Sequence, residues 1–91
     1  MNNLQIQQAV TKYRALIRER LPTLQPQKLS PTSEGTRVEA LAHVLYMLGH
    51  IEDLLHHPER REKLMRWLGF VQGILWSECL YTLDELKDHN R

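Results

Sequence analysis

Three stretches of this chain repeat apolar residues every three or four positions, and none alternates them every two. Ile6, Val10, Tyr13, Ile17 and Leu21 recur at spacings of 4, 3, 4 and 4. That period puts them on one face of a helix over about 3–21. Val38, Leu41, Ala42, Val44, Leu45, Leu48, Ile51 and Leu55 cover one wide side of a second helix, about 34–56. Leu64, Leu68, Val71, Ile74 and Leu75 make the stripe of a third, about 58–80, with Trp67 and Phe70 beside it. β-branched residues are sparse, so no strand is expected and the fold class is all-α.

The breaks between these stretches set their order in space. Pro22, Pro26 and Pro31 interrupt residues 22–33, which reads as an extended linker. Leu24 and Leu29 give it apolar side chains with which to pack, and Ser30 or Ser33 is expected to cap the second helix. His57-Pro58 is a tight break with proline placed for a first helical turn. Helices 2 and 3 then form an antiparallel hairpin. In the register of that hairpin Glu52 faces Lys63 and Glu78 faces Arg37, giving basic partners to two acids inside apolar stripes. Thr82 with Glu85 three residues on is a capping box, opening a short helix at 83–89. The expectation is a small helical bundle, 1–91, built on the helix 2–helix 3 hairpin with an N-terminal helix and a short capped C-terminal helix.

A chain of 91 residues buries only about 60–65% of its unfolded surface. Cys79 is the single cysteine, so no disulfide braces the core. A lone cysteine suits a reducing, intracellular compartment, and Cys79 is expected in the core. Twelve basic and 11 acidic residues leave a formal charge of +1, which gives no general attraction to nucleic acid or an anionic membrane. The opening residues lack the basic and apolar regions of a signal peptide. The charge-free run Trp67–Ser77 falls well short of the ~20 residues of a membrane span.

Candidate chemistry is thin. Glu39, His43, Tyr46, His50, Asp53 and His57 line the back of helix 2 at spacings of 4, 3, 4, 3 and 4. His50, Asp53 and His57 are residue types that bind zinc or iron, but three ligands on one straight helix seldom converge on one ion. A solvated face with Glu39–His43 and Asp53–His57 pairs, or a strip that contacts a partner, are the other readings. The pairs Glu59/Glu62 and Glu85/Asp88 resemble paired magnesium-binding acids, yet ~25–30 Å of helix separates them. Cys79 has neither an orienting base nor an oxyanion hole. No catalytic residue, metal or cofactor is expected, and the chain reads as a non-enzyme. The best basic patches contain Lys12, Arg14, Arg18, Arg60 and Arg61, which support an alternative: a nucleic-acid-binding accessory protein acting as a homodimer.

Residues 65–76 read MRWLGFVQGILW. Gly69 and Gly73 are four apart, and each costs the helix about 1 kcal/mol relative to alanine. Close approach of another backbone would offset that cost. The glycines share the back of helix 3 with Arg66 and Ser77, flanked by Met65 and Trp76. The groove is covered by this chain, by a second copy or by a foreign partner. The expected partner-binding residues are therefore Met65, Arg66, Gly69, Gly73 and Trp76, with Glu39, His43, Tyr46, His50 and Asp53 on helix 2.

Arg66, Trp67, Leu68, Gly69, Phe70, Gln72, Gly73 and Trp76, followed by Thr82, Asp84, Glu85 and Leu86, form a recognisable pattern. It resembles a family of small proteins of tailed bacteriophages and prophages, with an Arg-Trp-Leu-Gly-Phe-x-Gln-Gly-x-x-Trp core and a Thr-x-Asp-Glu-Leu-type terminal helix. The likeness spans about residues 43–91, and Ser-Glu-Cys-Leu at 77–80 stands where a glycine-ended turn is expected. The resemblance implies no catalytic residue. It supplies a phage context, which with the small size and missing chemistry leads to the expectation of a phage accessory protein in the cytoplasm of a bacterial host cell, acting by protein–protein binding. Its expected partner is a host protein that it modulates or inhibits, such as a defence or nucleic-acid-processing enzyme.

Overall fold

A computed structural model describes residues 1–32 and 34–91. It contains α1 (Asn3–Arg20), α2 (Arg37–Leu54), a single 3-10 turn at Pro58–Arg60, α3 (Arg61–Ser77) and α4 (Leu83–His89). The protein is a small all-α bundle, with no strand among the described residues. α2 packs against both α3 and α1.

Side-chain caps fix where three of the helices begin. Asn2 with Gln5, Thr36 with Glu39, and Thr82 with Glu85 each form a capping box. In each box the cap side chain accepts the N–H three residues on, and the Gln or Glu accepts the N–H of the cap. These bonds favour the carboxylate, so Glu39 and Glu85 both titrate below the usual range. Thr36 caps α2, so the helix starts three residues later than the apolar pattern suggests and Ser30 is not the cap. Ser33, the other candidate, lies outside the described residues.

Residues 24–30 form neither helix nor strand, and two hydrogen bonds hold them along α2. Gln27 N–H donates to the Ala42 carbonyl at 3.1 Å. Leu29 N–H donates to His43 Nδ1 at 3.2 Å. Leu24 packs on the core, and Arg18 donates to its carbonyl at 3.1 Å. Prolines remove N–H donors, so α2 holds the segment through the two N–H groups of Gln27 and Leu29.

One apolar cluster unites the helices. α1 contributes Ile6, Val10, Tyr13 and Ile17; α2 contributes Val44, Leu45, Leu48 and Ile51; α3 contributes Leu64, Leu68, Val71 and Leu75; α4 adds Leu86. Two apolar residues depart from their expected places. Val38, in the first turn of α2, is 52% exposed and borders an open cleft with residues 21–27. Phe70 is 55% exposed, since two residues past Leu68 on a helix is about 160° around the axis.

The hairpin register holds at one end and changes partners at the other. Arg37 Nε donates to Glu78 Oε2 at 2.8 Å, which raises the already high pKa of the guanidinium. Glu52 instead accepts from Arg14 and, at 2.8 Å, from Gln7 Nε2, both on α1. The Arg14 bond is the main reason the Glu52 carboxyl titrates below its usual range. α1 lies against the flank of α2 that carries Glu52, so α1 supplies the cation. Lys63, the expected partner, sits 5.3 Å over the Trp67 ring.

α3 stops at Ser77 in a Schellman turn. Leu80 N–H donates to the Leu75 carbonyl and Cys79 N–H to the Trp76 carbonyl, both at 2.9 Å. Cys79 occupies the left-handed position with φ of 59°, where glycine is the usual residue. It is exposed there and not in the core as expected. Among the described residues no helix is long and apolar enough to cross a membrane.

Candidate interaction surface

α3 has two long sides besides its core stripe, and the fold treats them differently. One side is closed by a polar lock. Gln72, 8% exposed, is the only buried polar residue among those described. Its Nε2 donates to the Tyr13 hydroxyl at 2.9 Å and to Asn90 Oδ1 at 2.8 Å. Asn90 Nδ2 returns a bond to Gln72 Oε1 at 3.2 Å. The Tyr13 hydroxyl lies 2.9 Å from His89 Nδ1, and with Gln72 donating to it, its own proton is free for the imidazole. Tyr81 completes the cluster, with its ring centroid 5.4 Å from Tyr13 and 5.0 Å from His89, both edge-on. These bonds tie α4 to α1 and α3. Burial raises the Tyr13 pKa and lowers that of His89.

The outer side of α3 is open. Met65, Arg66, Gly69, Gly73 and Trp76 are all exposed there. A Cβ built on Gly69 or Gly73 meets nothing within 4 Å among the described residues. Neither α1 nor α4 covers the glycine groove. Beside its C-terminal end, Trp76, Leu83, Asp84 and Glu85 help to line an open cleft of about 570 Å³. Arg66 makes only a loose pair with Glu62, at 3.6 Å between exposed groups.

The back of α2 is more occupied than a solvated face. His43, Tyr46 and His50 are each partly buried and stack in a row, with successive centroids 5.7 and 6.4 Å apart. Trp67 of α3 leans against the row, 4.7 Å from His50. His50 Nε2 is buried without a hydrogen-bond partner among the described residues, so the ring serves as a flat packing surface. Asp53 is exposed and stands apart from the stack, and Glu39 is engaged in its cap. His57 lies 3.3 Å from Glu59. Among the described residues no three His, Cys, Asp or Glu side chains gather in an arrangement that could hold a metal ion.

Where the two strips meet, His43, Met47, Arg66, Trp67 and Phe70 line a shallow, mostly apolar depression of about 360 Å³. Sequence patterning named His43 and Arg66 as contact residues but missed Met47, Trp67 and Phe70. The angular position of Phe70 away from Leu68 was the available signal.

The basic alternative is dispersed. Arg14 is bound to Glu52 and Arg18 to the Leu24 carbonyl. Arg61 donates to Asn3 Oδ1 at 2.7 Å and to the Met1 carbonyl. Lys12 and Arg60 are exposed, but they lie on α1 and in the turn before α3. No protein-family model, curated protein or solved structure matches the chain.

Proposed function

We propose that this chain is a bacteriophage accessory protein that binds a protein of the bacterial host and thereby modulates or inhibits it. The depression at the α2–α3 seam is the observation that carries this reading. Phe70 stands half-exposed at its edge, Met47 and Trp67 line it, and Arg66 offers a charge at the rim. Protein-binding hot spots have this make-up: an aromatic anchor, an apolar recess and an arginine. The partner supplies an apolar or aromatic side chain to the recess. The resemblance of residues 43–91 to phage proteins supports the host-directed assignment, and the defence or nucleic-acid-processing enzymes of the host are the candidate targets.

The test uses the full chain as bait in bacterial lysate, followed by affinity measurement with the purified captured protein. Phe70→Glu is expected to weaken that affinity at least tenfold, or ~1.4 kcal/mol, with an unchanged circular dichroism spectrum. A captured protein bound equally well by Phe70→Glu contradicts the proposed surface. Salt-steep binding to DNA or RNA, with no protein captured, replaces the reading by the nucleic-acid one.

A further inference from the structure

α4 has seven residues, and Leu86 is the only one of them that is buried. Helices shorter than ~12–15 residues are marginal in water, so α4 keeps its form through docking. The capping box secures its N-terminal end. Its C-terminal end depends on polar contacts with α1 and α3. His89 meets the Tyr13 hydroxyl, Asn90 pairs with Gln72, and the Gln5 side chain donates to the Arg91 carbonyl. An element with so few buried contacts opens locally before the rest of a domain does.

His89 is the member of this set whose bonding a proton reverses. The neutral imidazole accepts at Nδ1, 2.9 Å from the Tyr13 hydroxyl, while that hydroxyl accepts from Gln72 Nε2. Protonation turns Nδ1 into a donor, so two donors face each other. Tyr13 is fully buried, and its hydroxyl has no other acceptor among the described residues. Keeping α4 docked then costs a buried proton without a partner and a charge held out of water.

The groups around His89 set the direction. Burial holds its pKa below the ordinary imidazole value, and Lys12 of α1 acts the same way. Glu85 and Asp88 of α4 favour the charged ring and are outweighed; Asp88 is also paired with Arg91 at 2.8 Å. Tyr13, Gln72, Tyr81 and Asn90, the remaining neighbours, are uncharged. The ring is partly buried and borders an open cleft of about 310 Å³ with Gln8 and Lys12, through which water reaches it. Docking favours the neutral ring, so acid favours release.

We propose that α4 is a proton-released latch, which docks on α1 and α3 while His89 accepts from the Tyr13 hydroxyl and melts away from them when the imidazole is protonated. Release uncovers Tyr13, Gln72 and the seat of Leu86 on the side of α3 that is otherwise closed. The Val10, Leu48 and Leu68 core lies outside the latch and stays folded. The proposal is independent of the host-protein reading, which uses the α2–α3 seam.

An NMR titration of the full chain, from neutral pH down to the carboxylate range, tests the latch. The ring signals of His89 are followed together with the Cα shifts of every helix. The other histidines, His43, His50, His56 and His57, lie in α2 or the turn after it and titrate as separate signals. The expected result is that Leu83–His89 lose their helical shifts along the His89 titration, with a midpoint below 6.5, while α1, α2 and α3 keep theirs. His89→Gln, which offers the Tyr13 hydroxyl a carbonyl oxygen at every pH, is expected to keep α4 helical throughout. If glutamine itself loosens α4 at neutral pH, the wild-type chain decides by whether the two midpoints coincide. An α4 that stays helical after His89 is protonated overturns the proposal. So does an α4 that melts in His89→Gln along the wild-type curve, or a melt in which α1–α3 unfold with it.

Discussion

Single residues account for several features that helical periodicity does not encode. Cys79 holds φ of 59° in the turn that ends α3, where a Cβ crowds the backbone. Cys79→Gly is expected to raise stability by about 1 kcal/mol in urea unfolding, and Cys79→Ala to give no such gain, since alanine keeps the Cβ. His89 is the second case. Burial depresses its pKa below the usual imidazole value; Lys12 pushes the same way, while Glu85 and Asp88 oppose it. The folded state therefore prefers the neutral ring, which accepts from the Tyr13 hydroxyl. A group with a lowered folded pKa stabilises fully above its unfolded value, near pH 6.5 for histidine, and loses that contribution as pH falls through the folded value. Stability is expected to decline as pH falls below the ordinary imidazole value of 6.5, with a shallower slope in His89→Phe. Equal slopes in the two proteins contradict the assignment. The sequence displayed the residues of this lock without their meeting. Tyr13, Gln72, His89 and Asn90 sit on three helices and a C-terminal cap, and only tertiary packing joins them.

Among the elements, the helices were legible to within a few residues wherever a cap or a break enforced the boundary. Thr82 and Glu85 placed α4 at 83–89, as observed. The start of α2 was read too early because the apolar pattern carries no information about the first turn, whereas Thr36 does through its side chain. Pro58 opens a 3-10 turn and α3 proper begins at Arg61, since proline's fixed φ suits either helix type. Of the two cross-hairpin pairs, Arg37–Glu78 formed and Glu52–Lys63 did not. A two-helix register cannot anticipate a third helix, and α1 brings Arg14 to Glu52 first. The same limit applies to the back of α2. Its residues were known to share a face, but the insertion of Trp67 against His50 depends on how α3 rotates about its own axis.

At the scale of the whole molecule, polar and apolar surfaces are divided between closed and open sides of α3. Gln72 and the Tyr13–His89 pair close the side facing α1 and α4. Gly69, Gly73 and Trp76 keep the outer side uncovered, and Phe70 overlooks the seam with α2. The all-α hairpin architecture followed from apolar spacing together with the tight break at His57-Pro58. Whether the glycine groove is filled by the chain required coordinates, because α1 and α4 each carry enough apolar residues to cover it. The central claim about this side of α3 is that the chain leaves the groove open. Equilibrium unfolding of Gly73→Leu, followed by tryptophan fluorescence at sub-micromolar protein, tests this most directly. An open mid-helix glycine replaced by leucine gains helix propensity, so stability is expected to rise by about 0.5–1 kcal/mol. A loss of 1 kcal/mol or more, about the cost of overpacking a filled site, would contradict the account.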